Sequence, residues 1–140
     1  MQKILIRKLS DYPYVDENME ERFTFLNLKT SKDLYEYFVD TPFEEATKEL
    51  ELDIKGLTYL KRLMDVTRLR YVSAIIATVL VESGYDSVKK IACAEQMSLH
   101  EAFHNINQAL QLYKGKLGKN DVLFLIEDAK FYTSFDIEEA

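Results

Sequence analysis

The sequence predicts an all-α fold of about eight short helices. Three observations support this prediction: residues typical of helix starts and stops recur along the chain, apolar residues repeat at helical spacing, and glycine and proline number only 4 and 2. With 140 residues and 47% hydrophobic composition, the chain can bury one core, so we expect a single domain with short loops.

Helix starts and stops divide the chain into segments. Thr41-Pro42-Phe43-Glu44 and Ser98-Leu99-His100-Glu101 each match a capping box, in which a hydroxyl and a glutamate satisfy the first N–H groups of a helix. We expect Gly84 to end an apolar helix and Asp86 or Ser87 to cap the next one.

Apolar residues at helical spacing fill the segments between these signals. One such stripe consists of Val72, Ile75, Ile76, Val79 and Leu80. The predicted helices span 17–27, 31–39, 42–51, 54–66, 73–83, 87–95, 99–113 and 121–132. Residues 2–9 fit either a short N-terminal strand or the edge of a helix, because their β-branched residues alternate.

An internal repeat relates the two halves of the chain. A shift of 57 residues aligns YVDENMEERFTFLNLKTSKDL with YVSAIIATVLVESGYDSVKKI without a gap. Asn27 then meets Gly84, two residues that tolerate a left-handed helix stop, and Thr30 meets Ser87 as a helix cap. We therefore expect one domain over 1–132 with two related units, about 1–53 and 54–132, and an acidic, flexible tail over 133–140.

Two motifs carry a family resemblance, ESGYDSVKKIA at 82–92 and IEDAK at 126–130. Together they resemble a bacterial domain family of unknown function, whose members consist of two helix-hairpin-helix-like units. The likeness is strongest from about 57 to 131. It implies a tandem helix-hairpin-helix-like (SAM-like) helical domain, and it implies no particular activity.

The hairpins depart from the pattern of helix-hairpin-helix modules that grip DNA. In those modules glycines let backbone N–H groups approach a phosphate. The equivalent segments here, YPYVD at 12–16 and LRYVS at 69–73, contain no glycine, and Asp16 adds a negative charge. This departure disfavours the usual mode of DNA binding.

Charge is distributed unevenly along the chain. The net charge of −6 combines −6 over 1–54, +5 over 55–119 and −5 over 120–140. Overall acidity argues against broad polyanion binding, whereas the basic middle of the chain leaves a local basic patch possible.

No apolar run is long enough to span a membrane, the N-terminus lacks a signal sequence, and one cysteine cannot form an internal disulfide. We therefore expect a cytoplasmic protein without membrane contact.

Two binding functions follow from these patterns. Basic side chains in the second unit, if they converge, would contact phosphates in a salt-sensitive manner; alternatively they only balance the acidic ends. The nucleic-acid candidates are Arg68, Arg70, Lys89, Lys90, Lys114 and Lys116. Aromatic residues near the first hairpin would anchor a protein partner if exposed, and the candidates are Tyr12, Tyr14 and Tyr35. We favour a non-catalytic interaction module or scaffold with an unidentified protein partner, with nucleic-acid association as the alternative and the oligomeric state open.

A zinc-dependent hydrolase is a less favoured alternative. Residues 100–104, HEAFH, match the HExxH pattern in which two histidines bind zinc and the glutamate is the general base, with Glu127 as a third ligand to consider. However, Glu101 already belongs to the predicted capping box, and both histidines lie away from the apolar stripe of their helix. We therefore expect no enzymatic activity, no cofactor and no metal, and we expect Cys93 to be a buried, inert thiol.

Overall fold

The computed structural model describes residues 6–139, and side chains up to residue 132. This part of the chain contains eight α-helices, a short 3-10 turn at Leu9–Asp11 and no β-strand, so the all-α prediction is confirmed. The helices are α1 (Glu17–Phe25), α2 (Ser31–Asp40), α3 (Phe43–Leu50), α4 (Ile54–Thr67), α5 (Ala74–Glu82), α6 (Val88–Ala92), α7 (Gln96–Leu110) and α8 (Lys119–Glu139).

Side-chain caps start most of these helices. The residues whose side chains accept a hydrogen bond from the first turn are Asp16, Thr30, Asp53, Ser73, Ser87 and Glu95. Both predicted capping boxes are wrong. α3 follows Pro42, which has no side-chain acceptor, and α7 begins three residues before its predicted start because Glu95, not Ser98, caps it.

Helix boundaries recur at the 57-residue offset predicted from the sequence. Asp16 and Ser73 cap α1 and α5, and Thr30 and Ser87 cap α2 and α6. The turns between these helix pairs contain left-handed residues at matched positions 27 and 84, with φ of 61° and 95°. The second helices differ in length, because α2 has 10 residues and α6 has 5.

The structure describes part of each end of the chain. Residues 2–5 lie outside the described residues. In the remainder of the ambiguous segment, Lys8 makes one isolated antiparallel bridge to Thr30 and Leu9 enters the 3-10 turn, so 6–9 form neither a strand nor a helix edge. At the other end, α8 runs through the segment expected to be a tail as far as Glu139. The flexibility of that segment stays a prediction.

The core lies around α4 and α5, which pack against each other. Almost every residue of α5 is buried, and α4 contributes five apolar side chains to the centre: Leu57, Leu60, Leu63, Met64 and Val66. α8 packs on α6 and α7 and closes the second unit. Among the described residues, no helix is both long and apolar enough to cross a membrane.

Candidate interaction groove

A surface cavity lies where the hairpin between α4 and α5 meets the start of α8. Its volume is about 440 Å³, within the range of ligand-binding pockets. Aromatic and aliphatic side chains form most of its wall, and the only polar lining residues are Asn120 and Asp121. We call this cavity the Tyr71 groove; its lining consists of Tyr71, Ile76, Tyr113, Leu117, Asn120, Asp121, Phe124 and Leu125.

Tyr71 combines three features that rarely coincide. Its backbone is left-handed, with φ of 63°, although a side chain there costs roughly 1–2 kcal/mol. The residue is 72% exposed, so burial does not compensate for this cost. Its ring lies 5.6 Å from the ring of Phe124, measured between centroids, at an interplanar angle of 50°. The hairpin therefore presents an aromatic side chain at a position where glycine would be easier to accommodate.

Asp128 of α8 holds the hairpin in place. One carboxylate oxygen, Oδ2, accepts a hydrogen bond from the backbone N–H of Arg70 at 2.9 Å. The other, Oδ1, accepts from Arg70 Nε at 3.1 Å, and this side-chain pair is also an ion pair. The Arg70 guanidinium carbon lies 5.4 Å from the centroid of Phe124, a cation–π contact. The position of Tyr71 over α8 is thus fixed by its neighbour in the chain.

The opposite wall is fixed by the loop that follows α7. Asn107 makes two hydrogen bonds to the backbone of Tyr113: its Oδ1 accepts from the N–H at 2.8 Å, and its Nδ2 donates to the carbonyl at 2.9 Å. The Tyr113 ring packs edge-on against Phe103, with centroids 6.0 Å apart. Gln111 ends α7 in a left-handed conformation, with φ of 52°. Hydrogen bonds within the chain therefore hold both walls of the groove in place.

Cations border the groove. Lys114, Lys116 and Lys119 are exposed, and each is the direct chain neighbour of a residue that lines the groove. Arg70 stands next to Tyr71 in the same way. Of the six predicted nucleic-acid candidates, the structure brings Arg70, Lys114 and Lys116 to this border.

The other three basic candidates lie elsewhere. Arg68 is buried, makes an ion pair with Asp65, and has its guanidinium carbon 5.2 Å and 5.6 Å from the ring centroids of Tyr35 and Tyr132. Lys89 and Lys90 are exposed on α6, and Lys90 Nζ lies 2.9 Å from a carboxylate oxygen of Asp86. The buried Arg68 therefore takes no part in an exposed basic surface.

The three tyrosines predicted to bind a protein are mostly covered. Tyr12 lies in the core with its hydroxyl 2.8 Å from Thr67 Oγ1, and burial raises the pKa of that phenol. Tyr14 is half-buried against Tyr59, with ring centroids 4.5 Å apart. The half-buried Tyr35 ring contacts the Arg68 guanidinium. The exposed aromatic residues of the groove were not among the predicted candidates, although the repeat alignment had placed Tyr71 at the position equivalent to Tyr14.

The HExxH segment lies on the outer part of α7. His104 and Glu101 are exposed, and His100 is half-buried. Glu127, the third ligand considered from the sequence, pairs with Lys130 at 3.5 Å. Within the described residues, no group of three or more His, Cys, Asp or Glu side chains is close enough to hold a metal ion. Cys93 is exposed after α6, so the prediction of a buried thiol is wrong.

Comparison with known proteins identifies a family. A family model described as Domain of unknown function (DUF4332) matches residues 13–131, which is most of the chain. The chain therefore belongs to the DUF4332 family, and the expected membership of a family of unknown function is confirmed. No curated protein and no solved structure matches the chain.

Proposed function

We propose that this member of the DUF4332 family is a non-catalytic interaction module that binds a protein partner at the Tyr71 groove. One observation carries the proposal: Tyr71 keeps an exposed aromatic side chain on a left-handed backbone. Unfavourable backbone conformations concentrate at binding and catalytic sites, where function compensates for their cost.

The groove has the composition of a protein-binding hot spot. Tyrosine and phenylalanine anchors that are already ordered lose little conformational entropy on binding, and an apolar side chain of a partner would fill the space between them. The surrounding cations would orient an acidic segment of the partner and accelerate its association. An enzyme is less well supported, because the polar groups in the groove besides the phenols of Tyr71 and Tyr113 are one amide and one carboxylate, and this carboxylate already accepts a hydrogen bond from Gly118 N–H at 2.8 Å.

Site-specific photo-crosslinking tests the proposal. Benzoylphenylalanine at position 71 keeps an aromatic side chain at the groove, and the same residue at position 25, where Phe25 is 81% exposed on α1, is the matched control. We expect a protein adduct in cells from position 71 alone, and we expect Phe124→Ala to abolish it. No adduct from position 71, or the same adduct from position 25, would contradict the proposal.

Nucleic-acid association is the second candidate, favoured by the lysines at the groove border. The three lysines beside exposed aromatic rings resemble the combination that binds single-stranded nucleic acids, in which lysines contact phosphates and aromatic rings stack on a base. Lys114→Glu/Lys116→Glu should abolish binding of a labelled single strand of about 20 nucleotides at about 50 mM salt, and Lys32→Glu should not. Absence of binding by the unmodified protein at that salt concentration would end this candidate. Arg68 is unsuitable for such a test because it is buried.

We further propose that the two units are helix-hairpin-helix-like. The matched caps and left-handed turns at the 57-residue offset support this assignment. The hairpin of the second unit then uses Tyr71 where DNA-binding modules use glycine, so phosphate capture by backbone N–H groups is disfavoured.

A zinc hydrolase remains the least supported alternative, and metal analysis of the purified protein tests it: we expect no stoichiometric zinc.

A further inference from the structure

α8 is apolar on two opposite sides, which is unusual for a helix at a protein surface. Its inner side is formed by Val122, Leu125, Ile126, Ala129 and Tyr132, all buried. Three large apolar side chains lie on its outer side and are each about two-fifths exposed, namely Leu123, Phe124 and Phe131. A helix normally carries polar residues on the side that faces water, and apolar residues all around indicate burial on both sides.

The outer surface of α8 also carries two opposite charges. At about 100° per residue, Leu123, Glu127, Lys130 and Phe131 fall within roughly 100° of one another around the helix. Glu127 and Lys130 form an ion pair at 3.5 Å along this surface, and both side chains are more than half exposed. Asp121 and Leu125, which line the Tyr71 groove, lie on a different side of α8, and Phe124 lies at the boundary between the groove and this surface. We call Leu123, Glu127, Lys130 and Phe131 the outer α8 surface.

We infer that a second copy of this chain covers the outer α8 surface, with the two α8 helices antiparallel about a two-fold axis between residues 127 and 128. In this register Phe124 of each copy lies level with Phe131 of the other. Measured along the helix direction, Glu127 lies about 3 Å from Lys130 of the other copy, which is less than one helical turn. Because a two-fold axis repeats each contact, two Phe–Phe contacts and two Glu–Lys contacts form.

Charge complementarity favours a second copy over another partner. The outer α8 surface holds one acid and one base three residues apart, between Leu123 and Phe131, so it is complementary to itself when one helix is reversed. Antiparallel helices also bring the partial positive end of each dipole near the partial negative end of the other. A parallel arrangement would set Glu127 against Glu127 and Lys130 against Lys130.

Charge reversal combined with sedimentation equilibrium tests this inference. Glu127→Lys and Lys130→Glu should each raise the dissociation constant of the dimer about 10-fold, because two attractive contacts become repulsive. The double variant, Glu127→Lys/Lys130→Glu, restores both contacts across the axis and the pair within each helix. We therefore expect its dissociation constant to return to within about 3-fold of the unmodified value.

Two further variants test whether the apolar side chains of the outer α8 surface hold the dimer. Phe131→Ser should weaken the dimer at least about 30-fold, whereas Phe25→Ser, at an equally apolar exposed position on α1, should leave it unchanged. None of the substituted α8 residues lines the Tyr71 groove, so cross-linking from position 71 reports on the groove separately. A monomer at concentrations up to about 1 mM, or a double reversal no tighter than the single ones, would overturn the inference.

Discussion

Removing Arg70 should destabilise the fold more than neutralising its partner Asp128. The side chain of Asp128 is 1% exposed, whereas that of Arg70 is 46% exposed. Arg70→Met leaves a carboxylate sealed from water with one remaining hydrogen bond, from the backbone N–H of residue 70. Asp128→Asn leaves a guanidinium that can turn into solvent. The two variants break the same ion pair and leave different charges behind.

The expected costs follow from this asymmetry. Removing one partner from a fully buried pair costs about 3–5 kcal/mol. Water would enter from the half-exposed side of Arg70, so we expect about 2–3 kcal/mol for Arg70→Met. For Asp128→Asn we expect about 1 kcal/mol, because the amide oxygen still accepts the backbone hydrogen bond and only the charged component is lost. Lys89→Met, at an exposed position on α6, is the control for loss of one positive charge.

Urea denaturation followed by circular dichroism measures these differences. The decisive comparison is the double variant, Arg70→Met/Asp128→Asn. With no charge left to bury, it should be about 1 kcal/mol more stable than Arg70→Met alone, so the second substitution stabilises the protein. If Asp128→Asn costs as much as Arg70→Met, or if the double variant is the least stable of the three, then the hairpin is not held by a buried charge.

Three further predictions test the helix ends and the thiol. Gly84→Ala should lower the free energy of unfolding by at least about 1 kcal/mol, because φ is 95° at this position. Backbone strain alone would cause this loss, since an added Cβ would meet no atom within 4 Å. Asn27→Gly at the matched position, where φ is 61°, should raise the free energy of unfolding by about 0.5 kcal/mol. Asp33→Ala should cost about 1 kcal/mol at neutral pH. The hydrogen bond from Lys29 N–H lowers the pKa of Asp33. The stabilisation by this carboxylate is therefore present above about pH 4 and is lost as the pH falls through the lowered pKa. The urea denaturation curves of the unmodified protein and of Asp33→Ala should differ at pH 7 and coincide at about pH 2.5. Cys93 should react with Ellman's reagent in the native protein as fast as in urea, and protection would contradict its exposure.

Sequence patterns predicted the helices well because each boundary depends on a few neighbouring residues. The start of α6 at Ser87 and the stop at Gly84 are local in this sense, since a hydroxyl beside free N–H groups and a glycine at positive φ need no distant partner. The errors arose where two local signals competed. Ser98 and Glu95 both offer an acceptor near the start of α7, and Glu95 accepts from the N–H of Ser98 itself, so the predicted cap lies inside the first turn.

The groove was harder to predict because its residues come from distant parts of the chain. Its walls join the hairpin after α4, the loop after α7 and the first turns of α8. Composition also gave no sign that Arg68 would be buried between two aromatic rings while the nearby Arg70 faces solvent. A cation one turn from an acid suits either environment, so its burial depends on tertiary packing.

The position of Tyr71 shows why an aromatic count cannot replace a structure. Tyr14 and Tyr71 are equivalent in the repeat, and sequence reasoning favoured Tyr14 as a surface anchor. In the fold, Tyr14 packs against Tyr59 and its hydroxyl approaches Gly56, whereas Tyr71 extends over the groove on a left-handed backbone. The same residue type therefore stabilises the first unit and is left exposed by the second. Of these two tyrosines, the exposed Tyr71 is the one that we expect to bind a partner.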